Sequence, residues 1–205
     1  MPTIRIHDFG LSGHAHRVRL FCSLLGLPVE LQPVNLRAGE QKSPAFLAMN
    51  PFGQVPVIED GEATVADSNA ILLYLALKHD PQRTWWPESP LAQARVQQWL
   101  SAAAGPLANG PGRMRVLKLF GGAPEARAAD LAQNLFDSME RQLGSSRYLA
   151  SAEHPTIADI AMYSYTARAG DGDLSLEPWP AVRKWLSDIE ALPGFVPMPE
   201  APQRN

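Results

Sequence analysis

Apolar residues along the chain first alternate with polar ones and then recur every three to four positions, and that switch marks the first elements. Ile4 and Ile6 alternate with polar neighbours between Thr3 and Asp8, which predicts a strand, and Gly10-Leu11-Ser12-Gly13 follows as a turn. Val18, Leu20, Phe21, Leu24 and Leu25 then fall at helical spacing until Gly26, placed to end a helix, with Pro28 just beyond. Val29 to Leu36 predicts a second strand, so this opening stretch forms a βαβ unit with parallel strands. A short helical piece around Pro44 to Met49 precedes the turn formers Asn50-Pro51-Phe52-Gly53. Pro56 to Glu59, Asp60-Gly61 and Ala63 to Val65 predict a hairpin. Asp67-Ser68 then caps a helix that carries Ile71, Leu72, Leu75 and Ala76 on one face, which makes the order β-α-β-α-β-β-α.

From Asp80 to Pro90 the chain turns to Pro81, Trp85-Trp86-Pro87 and Ser89-Pro90, a stiff linker composition, and no alternating segment follows it. Leu91 to Ala104, Asp130 to Leu143, Ile157 to Ala169 and Pro180 to Ala191 all carry helical periodicity, so the second part is all-α. The expected division is a first domain over 1–79, a linker over 80–90 and a helical domain over 91–205. Thr156 and Asp159 have the spacing of a capping box, a folding role rather than a chemical one.

Charge narrows the classes of function. The net charge is -3, with no long run of either sign, so nothing attracts nucleic acid electrostatically. No apolar stretch approaches the ~20 residues of a membrane span and the N-terminus lacks a secretory core, so the expected location is the cytoplasm. The single cysteine, Cys22, excludes an internal disulfide, a CxxC pair and a multi-cysteine zinc site, and no metal is expected. Cys22 lies on an apolar helix face, a packing position.

Three local signatures resemble the cytosolic glutathione transferases. Ser12-Gly13-His14-Ala15-His16-Arg17-Val18-Arg19-Leu20 looks like the serine-containing turn of the zeta and theta classes. Asn50-Pro51-Phe52-Gly53-Gln54-Val55-Pro56-Val57, followed by Asp67-Ser68-Asn69-Ala70-Ile71, looks like the family's glutathione-binding core. Pro155-Thr156-Ile157-Ala158-Asp159-Ile160-Ala161 resembles the capped, buried helix of the family's second domain. The resemblance covers essentially the whole chain. It implies a thioredoxin-like α/β N-terminal domain, an all-helical C-terminal domain and a homodimer, with glutathione as co-substrate and a small hydrophobic electrophile as partner.

The chemistry needed is the ionisation of a thiol whose free pKa is about 8.5, leaving only a few per cent of thiolate at neutral pH. A hydroxyl donor aimed at the sulfur, together with a helix N-terminus, favours the charged form, and Ser12 lies between the first strand and the first helix, where both are to hand. Ser12 would also serve simply as that helix's cap. No tyrosine precedes Tyr74, which excludes a tyrosine-type enzyme, and Cys22 lies too far into the helix for a cysteine-type one. The zeta class has a Ser-Ser pair where this chain has Ser12-Gly13-His14, a departure that counts against the zeta isomerase reaction. His14 is placed to assist a proton transfer or to be a solvated helix-start histidine. Arg17 would steer an anionic tripeptide or sit in a structural ion pair.

The resemblance further implies a cis peptide bond between Val55 and Pro56, although only about 5–6% of X–Pro bonds are cis, and a backbone pairing of Val55 with the cysteinyl part of glutathione. Gln54 would offer its amide to the γ-glutamyl carboxylate. Ser68 would bind that carboxylate with its hydroxyl and N–H, and Asp67 would take the α-ammonium, unless the pair is only an N-cap. Lys42, beside Gln41, would reach the glycyl carboxylate or lie in solvent. The electrophile's pocket is expected between the domains, at the turn of Phe9 to Leu11 and on the helix after the linker. Trp99, Ala103, Leu107, Asn109 and Met114 are its candidates, each equally a core residue. The leading activity is conjugation of glutathione to an electrophile, or reduction of a hydroperoxide. A non-catalytic glutathione-binding scaffold and a glutathione-dependent isomerase are the alternatives.

Overall fold

Residues 3–200 are described in a computed structural model; the outermost positions of the two expected domains, 1–2 and 201–205, lie outside the described residues. The first part runs β1 (Ile4–Asp8), α1 (Gly13–Leu24), β2 (Val29–Pro33), α2 (Pro44–Met49), β3 (Val57–Asp60), β4 (Ala63–Ala66) and α3 (Ser68–His79). Its sheet has the order β2-β1-β3-β4, with β1 parallel to β2 and β3 antiparallel to both β1 and β4. β2 stops short of the predicted Leu36. After the Val34 N–H bonds to Asp8 O (2.7 Å) the chain leaves the sheet edge, and the Leu36 N–H turns back to Val34 O (3.0 Å).

Alternation along the strands divides the side chains between two faces. Ile4, Ile6 and Ile58 join the main core beneath α1 and α3, whereas Val57 faces the other way and packs with Val34 and with Phe46 of α2 in a smaller cluster. α1 ends where Gly26 was expected to end it, the Leu27 N–H closing back on Cys22 O at 2.9 Å. Cys22 is buried, and burial, with Asp60 nearby, pushes its thiol up to about 12, which fits a packing role.

The helical part consists of α4 (Pro90–Ala102), α5 (Pro111–Phe120), α6 (Ala126–Leu143), α7 (Ile157–Ala167) and α8 (Pro180–Glu190). A wider π turn, Ala103–Leu107, follows α4 at Pro106, whose missing N–H breaks the regular ladder. α5 is absent from the sequence-based expectation. Asn109-Gly110-Pro111-Gly112 has the composition of a break, yet Pro111 occupies the first turn of a helix, where its missing N–H costs nothing. One apolar core runs through both parts, joining Val18, Phe21 and Leu72 to Leu100, Phe136, Ile160 and Trp185. The segment after α3 is equally tied down. Trp85 takes a bond from its own N–H to Asp80 (2.7 Å), receives the Ile157 N–H (3.1 Å) and stacks edge-on against Phe21. Among the described residues no helix is long and apolar enough to cross a membrane.

α7 is the central helix, buried from Ile157 to Thr166. Its start is fixed by the predicted capping box, in which the Thr156 N–H donates to Asp159 Oδ2 (2.8 Å) and Thr156 Oγ1 accepts from the Ala158 N–H (3.3 Å). The other carboxylate oxygen accepts the Leu149 N–H and the Trp185 indole N–H, each at 2.9 Å. Replacing Asp159 with Ala takes the acceptor from four buried donors, the N–H groups of Thr156 and Leu149, the Trp185 indole N–H and the Thr156 hydroxyl, so the expected loss in urea unfolding is about 3 kcal/mol, against about 1 for Thr156→Ala. Equal losses would mean that Asp159 does no more than cap.

α1 and α7 are also joined through His16, which is buried between Ser164 Oγ (2.9 Å from Nδ1) and Val196 O (2.9 Å from Nε2). The carbonyl accepts, so Nε2 carries the proton and Nδ1 accepts from the serine hydroxyl. Burial, aided by Arg19 and Arg168 and opposed by the bond to Val196, lowers the imidazole pKa to about 4. Between there and its ordinary 6.5 the unfolded chain binds more protons than the folded one. Stability from this group is therefore complete above 6.5 and declines as pH falls toward 4, by at most about 1.4 kcal/mol per pH unit. Urea unfolding at a series of pH values should show that decline in the wild type and a shallower one in His16→Gln; identical slopes would contradict the assignment.

Candidate active site

The topology brings three separated segments to one end of the sheet. β1 runs toward that end and delivers Ser12; β3 starts there, after Val55 and Pro56; β4 returns to it and delivers Asp67 and Ser68. Between them, and closed on the far side by the turn around Gln41 and Lys42, lies a cleft of about 740 Å³. That volume lies within the roughly 300–1,000 Å³ typical of small-molecule sites. Ser12, Lys42, Gln54, Val55, Pro56, Asp67 and Ser68 all line it, as do His14 and Asn50.

Ser12 is the N-cap of α1, with extended backbone and its Oγ accepting the Ala15 N–H at 3.2 Å. A hydroxyl oxygen that accepts still has its own proton to give, and among the described residues nothing takes it. The turn that carries Ser12 is braced from the helical part. Arg115, buried on α5, donates from Nη1 to Leu11 O (2.8 Å) and from Nε to Asp171 (2.8 Å). The ring of Tyr165 of α7 packs against Gly13, where a Cβ would fall 2.6 Å from it, so only glycine fits there. No sequence signal points to Arg115 or Tyr165, because the contacts join positions more than a hundred residues apart.

The Val55–Pro56 peptide bond is cis. The loop before it is held by Asn50, whose side chain donates to Gln54 O (2.7 Å) and accepts the Phe52 N–H (3.0 Å). Gly53 has φ 60 and sits 2.7 Å from Gln41 O at the place a Cβ would occupy, so both backbone and space demand glycine. Lys42 is exposed and donates to Phe52 O (3.0 Å), which holds its charge at the rim; the Gln54 side chain is exposed. Asp67 caps α3, its Oδ1 accepting both the Asn69 and Ala70 N–H groups at 3.0 Å. Its φ of 71 with ψ of 125 is a sparsely populated conformation costing about 1–3 kcal/mol, held in place at the edge of the cleft. Ser68 beside it is buried.

Positive potential converges here. The N-termini of α1 and α3 both open on the cleft, each carrying roughly half a positive charge, with Lys42 at the rim and buried Arg17 beneath. Arg17 donates to His14 Nδ1 (2.9 Å) and Ser68 Oγ (3.1 Å). The two readings of Arg17 thus resolve against an ion pair, since it makes none among the described residues. His14 is partly buried, and burial beside the Arg17 charge pushes its pKa down to about 3. With the Nδ1 lone pair taken by Arg17, that nitrogen is not open for the proton transfer considered from sequence, and the ring is a weak base.

The expected electrophile residues do not gather at this cleft. Phe9 and Leu11 sit in the turn next to Ser12, Phe9 O accepting the Ser12 N–H (2.7 Å), without lining it. Trp99 lines a separate groove of about 300 Å³ between α4 and α6, and Asn109 lines a third depression with Arg113 and Glu125. Ala103 and Leu107 are fully buried in the core. The π turn at Ala103–Leu107 and the new start at Pro111 divide α4 from α5, a break absent from the sequence-based expectation.

Comparison with known proteins agrees with this architecture. Residues 11–78 match the family model of the glutathione S-transferase N-terminal domain and residues 97–188 that of the C-terminal domain. Glutathione S-transferase 3 of Zea mays is 30% identical, with all of both chains covered. Glutathione S-transferase theta-1 of Bos taurus is 30% identical over 93% of this chain and 84% of its own. The crystal structure of a glutathione S-transferase from Pseudomonas fluorescens superposes with a TM-score of 0.89 at 32% identity, over 97% of this chain and 100% of the other. With both halves matched and the relatives aligned along their length, the chain belongs to the glutathione S-transferase family.

Proposed function

We propose that the chain is a glutathione transferase of the serine type, in which the Ser12 hydroxyl donates to the sulfur of bound glutathione and holds it as the thiolate. The observation that carries the reading is the Ser12 O–H, free of any partner among the described residues and set at the helix N-terminus that opens on the cleft. Lowering a thiol pKa by two pH units corresponds to about 2.7 kcal/mol. A hydrogen bond to a charged group contributes about 1.5–3 kcal/mol and a helix N-terminus about 0.3–1, so the two together suffice.

In this reading each remaining group of the tripeptide takes a partner among the residues that line the cleft. Its γ-glutamyl carboxylate goes to Ser68 and the start of α3, its α-ammonium to the outer oxygen of Asp67, its cysteinyl backbone to Val55, and its glycyl carboxylate toward Lys42, with Gln54 as an accessory amide. A thiolate so held attacks an electrophilic carbon: the C–S bond forms, the bond to a halide breaks, and halide leaves with the electron pair, the thiol proton having passed to water. With a hydroperoxide the thiolate attacks the terminal oxygen instead: the S–O bond forms, the O–O bond breaks, the alkoxide leaves and takes a proton to become the alcohol, and a second glutathione thiol displaces water from the sulfenic acid to give glutathione disulfide. The division of labour we propose follows the chain, with 1–79 holding glutathione, 80–90 connecting, and 91–205 closing over the electrophile near the Phe9–Leu11 turn. The assembled form is a homodimer, for which sedimentation velocity gives a direct reading.

Ser12→Ala should keep glutathione affinity within about threefold while turnover with aryl halides falls by a factor of about 100, the loss expected for one donor to a developing or held anion. Turnover per bound glutathione that is unchanged in Ser12→Ala would contradict the proposal. Retention on immobilised glutathione with rates across aryl halides and hydroperoxides no better than in buffer would point instead to a binding scaffold.

A further inference from the structure

Arg17 is fully buried, makes no ion pair among the described residues, and has no hydrogen-bond partner at Nε or Nη2. A buried cation left unpaired by any carboxylate is costly to fold around, so its few contacts bear on function. They converge on one nitrogen. Nη1 donates to His14 Nδ1 at 2.9 Å and to Ser68 Oγ at 3.1 Å, with Asn69 Oδ1 further off at 3.5 Å.

A guanidinium has donors only, so His14 Nδ1 must be the acceptor, and the neutral ring then carries its proton on Nε2. Tyr165 stands edge-on to the imidazole, with ring centroids 5.1 Å apart and planes at 81°, and its ring also takes the Arg17 guanidinium at 5.7 Å. The plane of the imidazole is thereby fixed on two sides. His14 lines the same cleft as Ser12, and its Nε2 has no partner among the described residues. The single lone pair of Nδ1 is taken by Arg17, so the Ser68 hydroxyl, 3.4 Å from it, is left with a proton to give elsewhere. Burial, and then the Arg17 charge, hold the imidazole neutral, so what it can offer is an N–H polarised by the cation behind it.

We propose that His14 is a second hydrogen-bond donor to the glutathione sulfur, its Nε2–H aimed into the cleft by Arg17, and that it shares the thiolate with Ser12. The inference rests on the reading of Ser12 given above. It makes Arg17 a positioning residue for both ends of the ligand, through His14 at the sulfur and through Ser68 at the γ-glutamyl carboxylate.

Two measurements test it. In the wild-type protein, nitrogen-detected NMR of the histidines should find His14 with Nδ1 bare and Nε2 protonated at pH 7, and the Nε2–H signal should move on adding glutathione but much less with S-methylglutathione. In His14→Phe the pKa of the bound thiol, followed by thiolate ultraviolet absorption, should rise by about one, a tenfold drop in thiolate below it, and His14→Gln, whose amide reaches the Nε2 position, should recover most of the difference. A proton on Nδ1, an Nε2–H signal that responds equally to both ligands, or a bound-thiol pKa unchanged in His14→Phe would each overturn the proposal. The NMR arm decides the matter if His14→Phe does not fold. A wild-type thiol that ionises no more readily than in buffer would refute the Ser12 reading itself, whereas one lowered equally in the wild type and in His14→Phe refutes only the part given to His14.

Discussion

The turn between β1 and α1 is gripped from both halves of the molecule, and the geometry of the cleft depends on that grip. From the sheet side, Ser12 is tied by its N–H to Phe9 O and by its Oγ to the Ala15 N–H. From the helical side, Arg115 holds Leu11 O, Tyr165 packs against Gly13, and Ser164 reaches His16. A hydroxyl contributes to catalysis only if it already points where charge will sit, because a donor that must be reoriented during the reaction gives back part of its stabilisation. The helical part thus sets the position of a group that belongs to the first part of the chain.

Electrostatics at the cleft follow from topology more than from net charge. The chain as a whole is slightly acidic, with net charge -3. Yet two helix N-termini, an arginine without a carboxylate partner and a rim lysine meet at one end of the sheet. The strained backbone of Asp67 and the tight packing at Gly53 hold the start of α3 and the loop before Val55 against that end. Such a site favours an anionic ligand over a neutral one.

Much of this was legible in the sequence because it is local. Period-two and period-3.6 patterns located the strands of the sheet and most helices; the Thr156–Asp159 spacing announced its capping box; and the serine, Val55-Pro56 and Asp67-Ser68 signatures all converge on one cleft. What was not legible is what depends on distant partners. Pro111 looks like a break until its place in the first turn of α5 is known, and Trp99 and Asn109 line grooves separate from the cleft, a placement that rests on how α4, α5 and α6 pack. His14 and Arg17 each had two readings, and only the 2.9 Å contact between them, with no ion pair to Arg17 among the described residues, separates them. Arg115 and Tyr165 carry no motif at all, since their role exists only once α5 and α7 have packed against α1.

The account stands or falls on the ionisation of one thiol. The most direct measurement is a pH titration of the thiolate absorption of glutathione held at saturation on the wild-type protein, beside the same titration in buffer. The predicted midpoint on the protein lies about two pH units below the free value of about 8.5. A bound tripeptide whose midpoint coincides with that of the free one would contradict it.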